Sequence, residues 1–171
     1  DGSGSRDLTI KLTATSGSHA PIHIASSGVG QGCERITIEN VNIEAGHNGS
    51  TTSGIFIGGS TSVTASGADN DSIVIDNVNI QKSYYGIYAY GTSANPANRI
   101  YITNSSFGSD STDNFITQRG VYLYYANNIL VNYNHIYNLT TSSSTPQGIY
   151  LYHSDTATVM NNIIHSVKYT G

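Results

Sequence analysis

Apolar and polar residues alternate along short stretches of this chain, and the stretches recur. Ile36-Thr37-Ile38-Glu39-Asn40-Val41-Asn42-Ile43 returns as Ile73-Val74-Ile75-Asp76-Asn77-Val78-Asn79-Ile80. Looser copies cover 100–107, 129–136 and 157–164, and residues 8–10 open a weak first one. Each copy is followed by a second stretch. These are Gly54-Ile55-Phe56-Ile57, Gly86-Ile87-Tyr88-Ala89, Gly120-Val121-Tyr122-Leu123 and Gly148-Ile149-Tyr150-Leu151, with Pro21-Ile22-His23-Ile24 as the first counterpart. A period of two is the strand period, and Ser, Gly, Asn and Thr between the stretches supply turns. Copies about 28 residues apart leave no room for crossover helices. They predict a chain wound into stacked coils, with strands of successive coils paired in parallel about 4.8 Å apart.

The Ile-x-Ile-x-Asn-x-x-Ile and Gly-Ile-Tyr-x patterns cover nearly the whole chain and resemble the right-handed parallel β-helix, the pectate-lyase-like repeat family of secreted or surface proteins. The resemblance implies an all-β fold, a single-stranded parallel solenoid of five to six coils, with residues 1–171 forming one repeat domain. It implies little about activity, because the family includes lyases, hydrolases, phage tailspikes, adhesins and surface filaments.

The repeat assigns the core. Ile36, Ile38, Ile43, Ile55 and Ile57 should point inward in one coil, and Ile73, Ile75, Ile80, Ile87 and Ala89 in the next. Ile100, Ile102, Phe107, Val121 and Leu123 follow, then Ile129, Val131, Ile136, Ile149 and Leu151. Composition agrees: 20 Ile against 6 Leu suit sheet better than helix, since β-branched side chains lose rotamer freedom in a helix. Asn40, Asn77, Asn104 and Asn161 share one repeat position at a bend, with Tyr133 in their place in the remaining coil. They read as a structural ladder of stacked amides, Asn being tolerant of left-handed backbone. Gly54, Gly86, Gly120 and Gly148 read as turn glycines.

Charged residues are only 11%, the net charge is −4, and only Lys82 lies between Arg35 and Arg99, so no basic stripe for nucleic acid exists. No apolar run approaches the roughly 20 residues of a membrane span. No leader is visible, and Asp1 reads as a mature or trimmed start.

The outward positions of the second strand carry rings. His23, Phe56, Tyr88, Tyr122 and Tyr150 should form one column, and Tyr90, Tyr124 and Tyr152 the next, with Gly58 in that place in the longest coil. A tyrosine face of this kind suits protomer contact or glycan binding, or braces the sheet through ring contacts.

Candidates for chemistry are sparse. Asp69-Asn70-Asp71 could supply part of a Ca²⁺ site, a weak signal because six to eight oxygens are needed. Otherwise no cofactor and no metal is expected. Glu39 and Asp76 stack at one repeat position, but a glycosidase needs two opposed carboxylates. The paired-aspartate motifs of the family's hydrolases are not found. Nor does an acidic trio surround Arg99 or Arg119, as its lyases would imply, so no catalytic residue is assigned. Asp110, Asp113 and Arg119 share one loop. His135, His153 and His165 fall on different corners, with no zinc-ligand spacing. Cys33, alone, reads as a buried apolar residue. Asn48-Gly49-Ser50 and three similar triplets match the glycosylation pattern at the level of chance.

Residues 1–7 are too short to cover a coil, and Gly171 stands where the next Gly-Ile-Tyr-x strand is due. The ends are expected to be uncapped, the chain being a section of a longer solenoid or a subunit that stacks end to end. The expected function is a non-catalytic extracellular or cell-surface solenoid: scaffold, adhesin stalk or fibre subunit. It would self-associate end to end or laterally, or hold polysaccharide. The alternative is a carbohydrate-active protein, either a polysaccharide lyase, a glycoside hydrolase or a binding module of one.

Overall fold

A computed structural model describes residues 5–49, 51–142 and 144–171. The expectations that involve residues 1–4, Ser50 and Ser143 lie outside that range. The chain forms a parallel β-solenoid of about six turns. β1 (Leu8–Lys11) and β2 (Ile22–Ser26) make the first coil, β3 (Glu34–Glu44) and β4 (Ser53–Gly59) the second, and β5 (Asp71–Gln81) and β6 (Ser83–Tyr90) the third. The fourth holds β7 (Ala97–Thr103), β8 (Ser106–Phe107) and β9 (Ile116–Tyr124); the fifth holds β10 (Ala126–Asn132), β11 (His135–Thr141) and β12 (Gln147–Tyr152). The sixth holds β13 (Asp155–Met160) and β14 (Ile163–Tyr169). The one helical turn among the described residues is a 3₁₀ turn at Thr112–Asn114. Thus no described helix is long and apolar enough to cross a membrane.

Like stacks on like, as the repeat predicts. Ile38, Ile75, Ile102, Val131 and Val159 form one column of register partners. Ile10, Ile43, Ile80, Phe107, Ile136 and Ile164 form another. On the second sheet Ile55, Ile87, Val121 and Ile149 line up. The middle members are fully buried, each contributing about 1.5–3 kcal/mol of transfer free energy. Neighbours supply that burial, so the terminal coils lack half of it. Ile36 and Ile38 are only partly buried, and Val159 and Ile164 are 46% and 45% exposed.

Asn40, Asn77, Asn104, Tyr133 and Asn161 all have left-handed backbone, with φ between 49° and 56°. That turns each long strand from one face of the coil to the next. Asparagine accepts the conformation readily; a tyrosine there costs about 1 kcal/mol. Tyr133 is 62% exposed and has little packing to lose. Tyr133→Asn should therefore raise stability by about 1 kcal/mol, read as a higher urea midpoint at unchanged slope.

Gly54, Gly86, Gly120 and Gly148 lie within the second-sheet strands and do not serve turns, which corrects the expectation: none has positive φ. They form a column in which a methyl group has no room. A Cβ on Gly54 would lie 2.8 Å from the Gly86 carbonyl oxygen, one on Gly86 2.4 Å from that of Gly120, and one on Gly120 2.8 Å from that of Gly148. Glycine at this position lets the coils close onto the core.

The longest insertion folds back over the second sheet. Gly59 N–H donates to Ala65 O, Ser60 N–H to Ser26 O and Gly67 N–H to Tyr90 O, each at 2.8 Å. A Cβ on Gly58 would lie 2.3 Å from Phe56 Cζ and 2.6 Å from Ala65 O, so the returning loop lies against the Phe56 ring.

Candidate functional site

The outward residues of β6, β9 and β12 bring together most of the tyrosines singled out from the sequence. Alternation puts every second side chain of a strand on its outer surface, and parallel in-register pairing stacks equivalent ones. Tyr88 pairs with Tyr122 and Tyr122 with Tyr150; Tyr90 pairs with Tyr124 and Tyr124 with Tyr152. The Tyr88 and Tyr122 rings lie 4.7 Å apart at 6°, and Tyr90 and Tyr124 4.8 Å apart at 5°. Towards the sixth coil the stacks open: Tyr122–Tyr150 is tilted by 38° and Tyr124–Tyr152 by 43°. Near-parallel rings at strand spacing turn their faces to each other. What they offer outward is a row of edges and phenol hydroxyls, not a flat platform.

Phe56 departs from the expected face. It continues the Tyr88 column, 5.3 Å from that ring, but the insertion covers it and it is fully buried. The exposed tyrosines therefore run over the third to fifth coils, with the exposed His23 ring on the far side of covered Phe56.

Several residues that the sequence reading did not assign to the face belong to it. Tyr85 packs against Tyr88 at 5.0 Å and Tyr122 at 5.5 Å. Tyr125 and His153 flank the second column, Tyr125 4.5 Å from Tyr124 and His153 5.0 Å from Tyr125. Arg119, read as a loop residue, enters β9 and lays its guanidinium 4.4 Å from the Tyr122 centroid and 4.5 Å from that of Tyr150. Its Nε donates to Gln147 Oε1 at 2.7 Å. Strict alternation would put Arg119 on the inward side with Val121, two residues on, so the sequence pattern did not point to this placement.

Burial pushes the Tyr88 phenol well above the ordinary tyrosine range, and the neighbouring Tyr122 adds to the shift. Tyr85 is pushed up to about 12, by burial first, with Arg119 pulling the other way. An unfolded chain ionises its tyrosines near pH 10, so above that point it binds fewer protons than the folded chain. Stability should hold up to about pH 10 and fall as pH rises towards about 12, the order set by linkage. Tyrosinate absorbance should lag behind that of the urea-unfolded chain over the same window. Coincident titrations would contradict this.

At the bend, Asn77 Nδ2 donates to Asn40 Oδ1 at 2.7 Å. Asn104 instead donates to Asp76 Oδ1 at 2.7 Å, and Asn161 to Asn132 Oδ1 at 3.0 Å. The outer asparagines thus join neighbouring coils, but by diagonal steps at two of these contacts. A second ladder lies one residue further on, inside the coil. Asn134 Oδ1 accepts from Ser105 N–H at 3.0 Å, its Nδ2 donates to Ile102 O at 2.9 Å, and Asn162 Oδ1 accepts from Asn134 N–H at 2.9 Å. Ser105 and Asn134 are 1% exposed. Val41 and Val78 hold the same repeat position, and those valines were the sign that it points inward.

Asp69, Asp71, Asp76 and Asp110 take part in the fold. Asn70 is buried, accepting from Cys33 N–H and donating to Gly58 O. Asp69 accepts from Gly30 N–H, and Asp71 pairs with Arg99 at 2.9 Å. Asp76 also accepts from Thr103 at 2.5 Å. Asp110 bonds to Asn138 on β11, while Arg119 joins the second sheet, so the two go to different faces. Cys33 is partly buried against the core.

The histidine expectation needs correction. His135 and His165 do not fall on separate corners: their Nε2 atoms are 2.8 Å apart. Burial, then His165, holds the His135 imidazole below its usual range, with Asp110 opposing.

Residues 22–171 match a family described as right handed beta helix region. No curated protein and no solved structure matches the chain.

Proposed function

From the premise that the chain belongs to the right-handed β-helix family, we propose that it is a non-catalytic, extracellular or cell-surface solenoid that contacts a further copy of itself through its tyrosine face. The paired ring columns carry this reading. Tyrosine joins a broad apolar body to a polar tip, the combination enriched in protein interfaces. With ring faces consumed within each column, the surface left is an edge-and-hydroxyl strip, better matched to another protein surface than to a stacked sugar.

Sedimentation velocity tests the lateral contact. Tyr124→Ser with Tyr152→Ser should weaken self-association at unchanged far-ultraviolet circular dichroism. Association that stays intact while the spectrum is also intact removes the tyrosine face from the contact.

A second reading, binding of an acidic polysaccharide, is favoured by one observation. Arg119 is held over two rings by Gln147, and its Nη2 has no hydrogen-bond partner among the described residues. Retarded migration through alginate- or pectin-containing gels, relieved by Arg119→Gln, would support it. Release of unsaturated or reducing ends from those polymers would overturn the non-catalytic reading.

A further inference from the structure

His135 and His165 meet across the fifth and sixth coils. β11 and β14 pair so that His135 lies opposite Ile163 and Tyr137 opposite His165. The two histidines are therefore diagonal neighbours, within reach on one sheet face. Their Nε2 atoms stand 2.8 Å apart. Two imidazole nitrogens bound in cis to one ion, each at about 2.0–2.1 Å, lie about 3 Å apart, so little adjustment is needed.

Both rings are braced. Tyr137 stacks on His135 at 4.4 Å and 16°, and Ser166 Oγ lies 3.1 Å from His165 Nδ1. A ligating histidine usually has its other nitrogen held by a polar partner, as His165 Nδ1 is here. Asp110, fixed by Asn138, adds a negative charge at the same corner.

The other histidines are differently disposed. Nε2 of His19, His23 and His47 each contacts a backbone carbonyl, and His153 is stacked among Tyr124, Tyr125 and Tyr152. No three His, Cys, Asp or Glu side chains among the described residues converge to hold an ion, so two nitrogens would serve and water would complete the shell.

We propose that His135 and His165 form a bidentate site for a divalent transition-metal ion, Cu²⁺, Ni²⁺ or Zn²⁺, which clips the fifth coil to the sixth. Imidazole pairs favour these ions over Ca²⁺ or Mg²⁺, and Cu²⁺ should bind most tightly.

The test is titration of the full chain with Cu²⁺ alone, followed by calorimetry and by electron paramagnetic resonance. One equivalent should bind with nitrogen couplings from two imidazoles, and the melting temperature should rise. His165→Gln alters an exposed side chain in the last coil. It should weaken binding roughly ten-fold or more, the scale on which metal sites respond to perturbation of their ligand shells, and abolish the thermal shift without changing the apo spectrum. His135→Gln should do the same. Unchanged affinity in either variant, or no stoichiometric uptake by the natural chain, would overturn the site.

Discussion

Gly86→Ala is expected to destabilise the solenoid by about 3 kcal/mol or more, the upper part of the range for forcing atoms into a packed interior. The added methyl would lie 2.4 Å from the Gly120 carbonyl oxygen and 2.8 Å from Phe107 Cδ1. The oxygen belongs to a backbone held in a parallel ladder, so relief requires the third and fourth coils to separate along the glycine column. The same change at Gly120 should cost somewhat less, because the nearest backbone atom, the Gly148 carbonyl oxygen, would lie 2.8 Å away and not 2.4 Å. Urea unfolding followed by circular dichroism gives both values. Equal midpoints for natural chain and Gly86→Ala would show that the glycine column is not what sets the closeness of the coils.

Asn134→Ala should cost about 3 kcal/mol, because it strands two buried backbone groups at about 1–3 kcal/mol each. Ser105 N–H loses its acceptor and the Ile102 carbonyl loses a donor, in a part of the coil with almost no access to water. Coils interact mainly with their neighbours, so the damage should be local. Hydrogen exchange should accelerate in β10 to β14 while β3 to β6 keep their protection. A uniform loss along the chain would mean that the solenoid unfolds as one unit and that the inner ladder has no regional role.

How much of this was legible in the sequence depends on which residues are considered. The aliphatic columns were readable because parallel in-register stacking repeats one chemical type at one position, as in Ile38, Ile75 and Ile102. The left-handed bend was readable at Asn40 and Asn77 because asparagine reports that backbone. The inner ladder was harder. Asn132 and Asn134, or Asn161 and Asn162, look alike along the chain, and only their repeat position relative to Val41 and Val78, just past the left-handed bend, separates outer from inner. Phe56 was misplaced because alternation gives its direction but not the path of the loop that comes back over it. The His135–His165 pair was hidden because its spacing of 30 residues differs from the 28-residue offset of register partners such as Ile136 and Ile164. A diagonal contact leaves no mark in a repeat alignment.

The insertion that closes over Phe56 also limits the foothold available to any visitor. Only three consecutive rungs of tyrosine edges are left bare, a berth about 10 Å long at ordinary strand spacing. Extra turns stacked ahead of the sealed rung would lengthen the rod without lengthening the berth, whereas trimming residues 60–69 would expose another rung to a molecule arriving from the side.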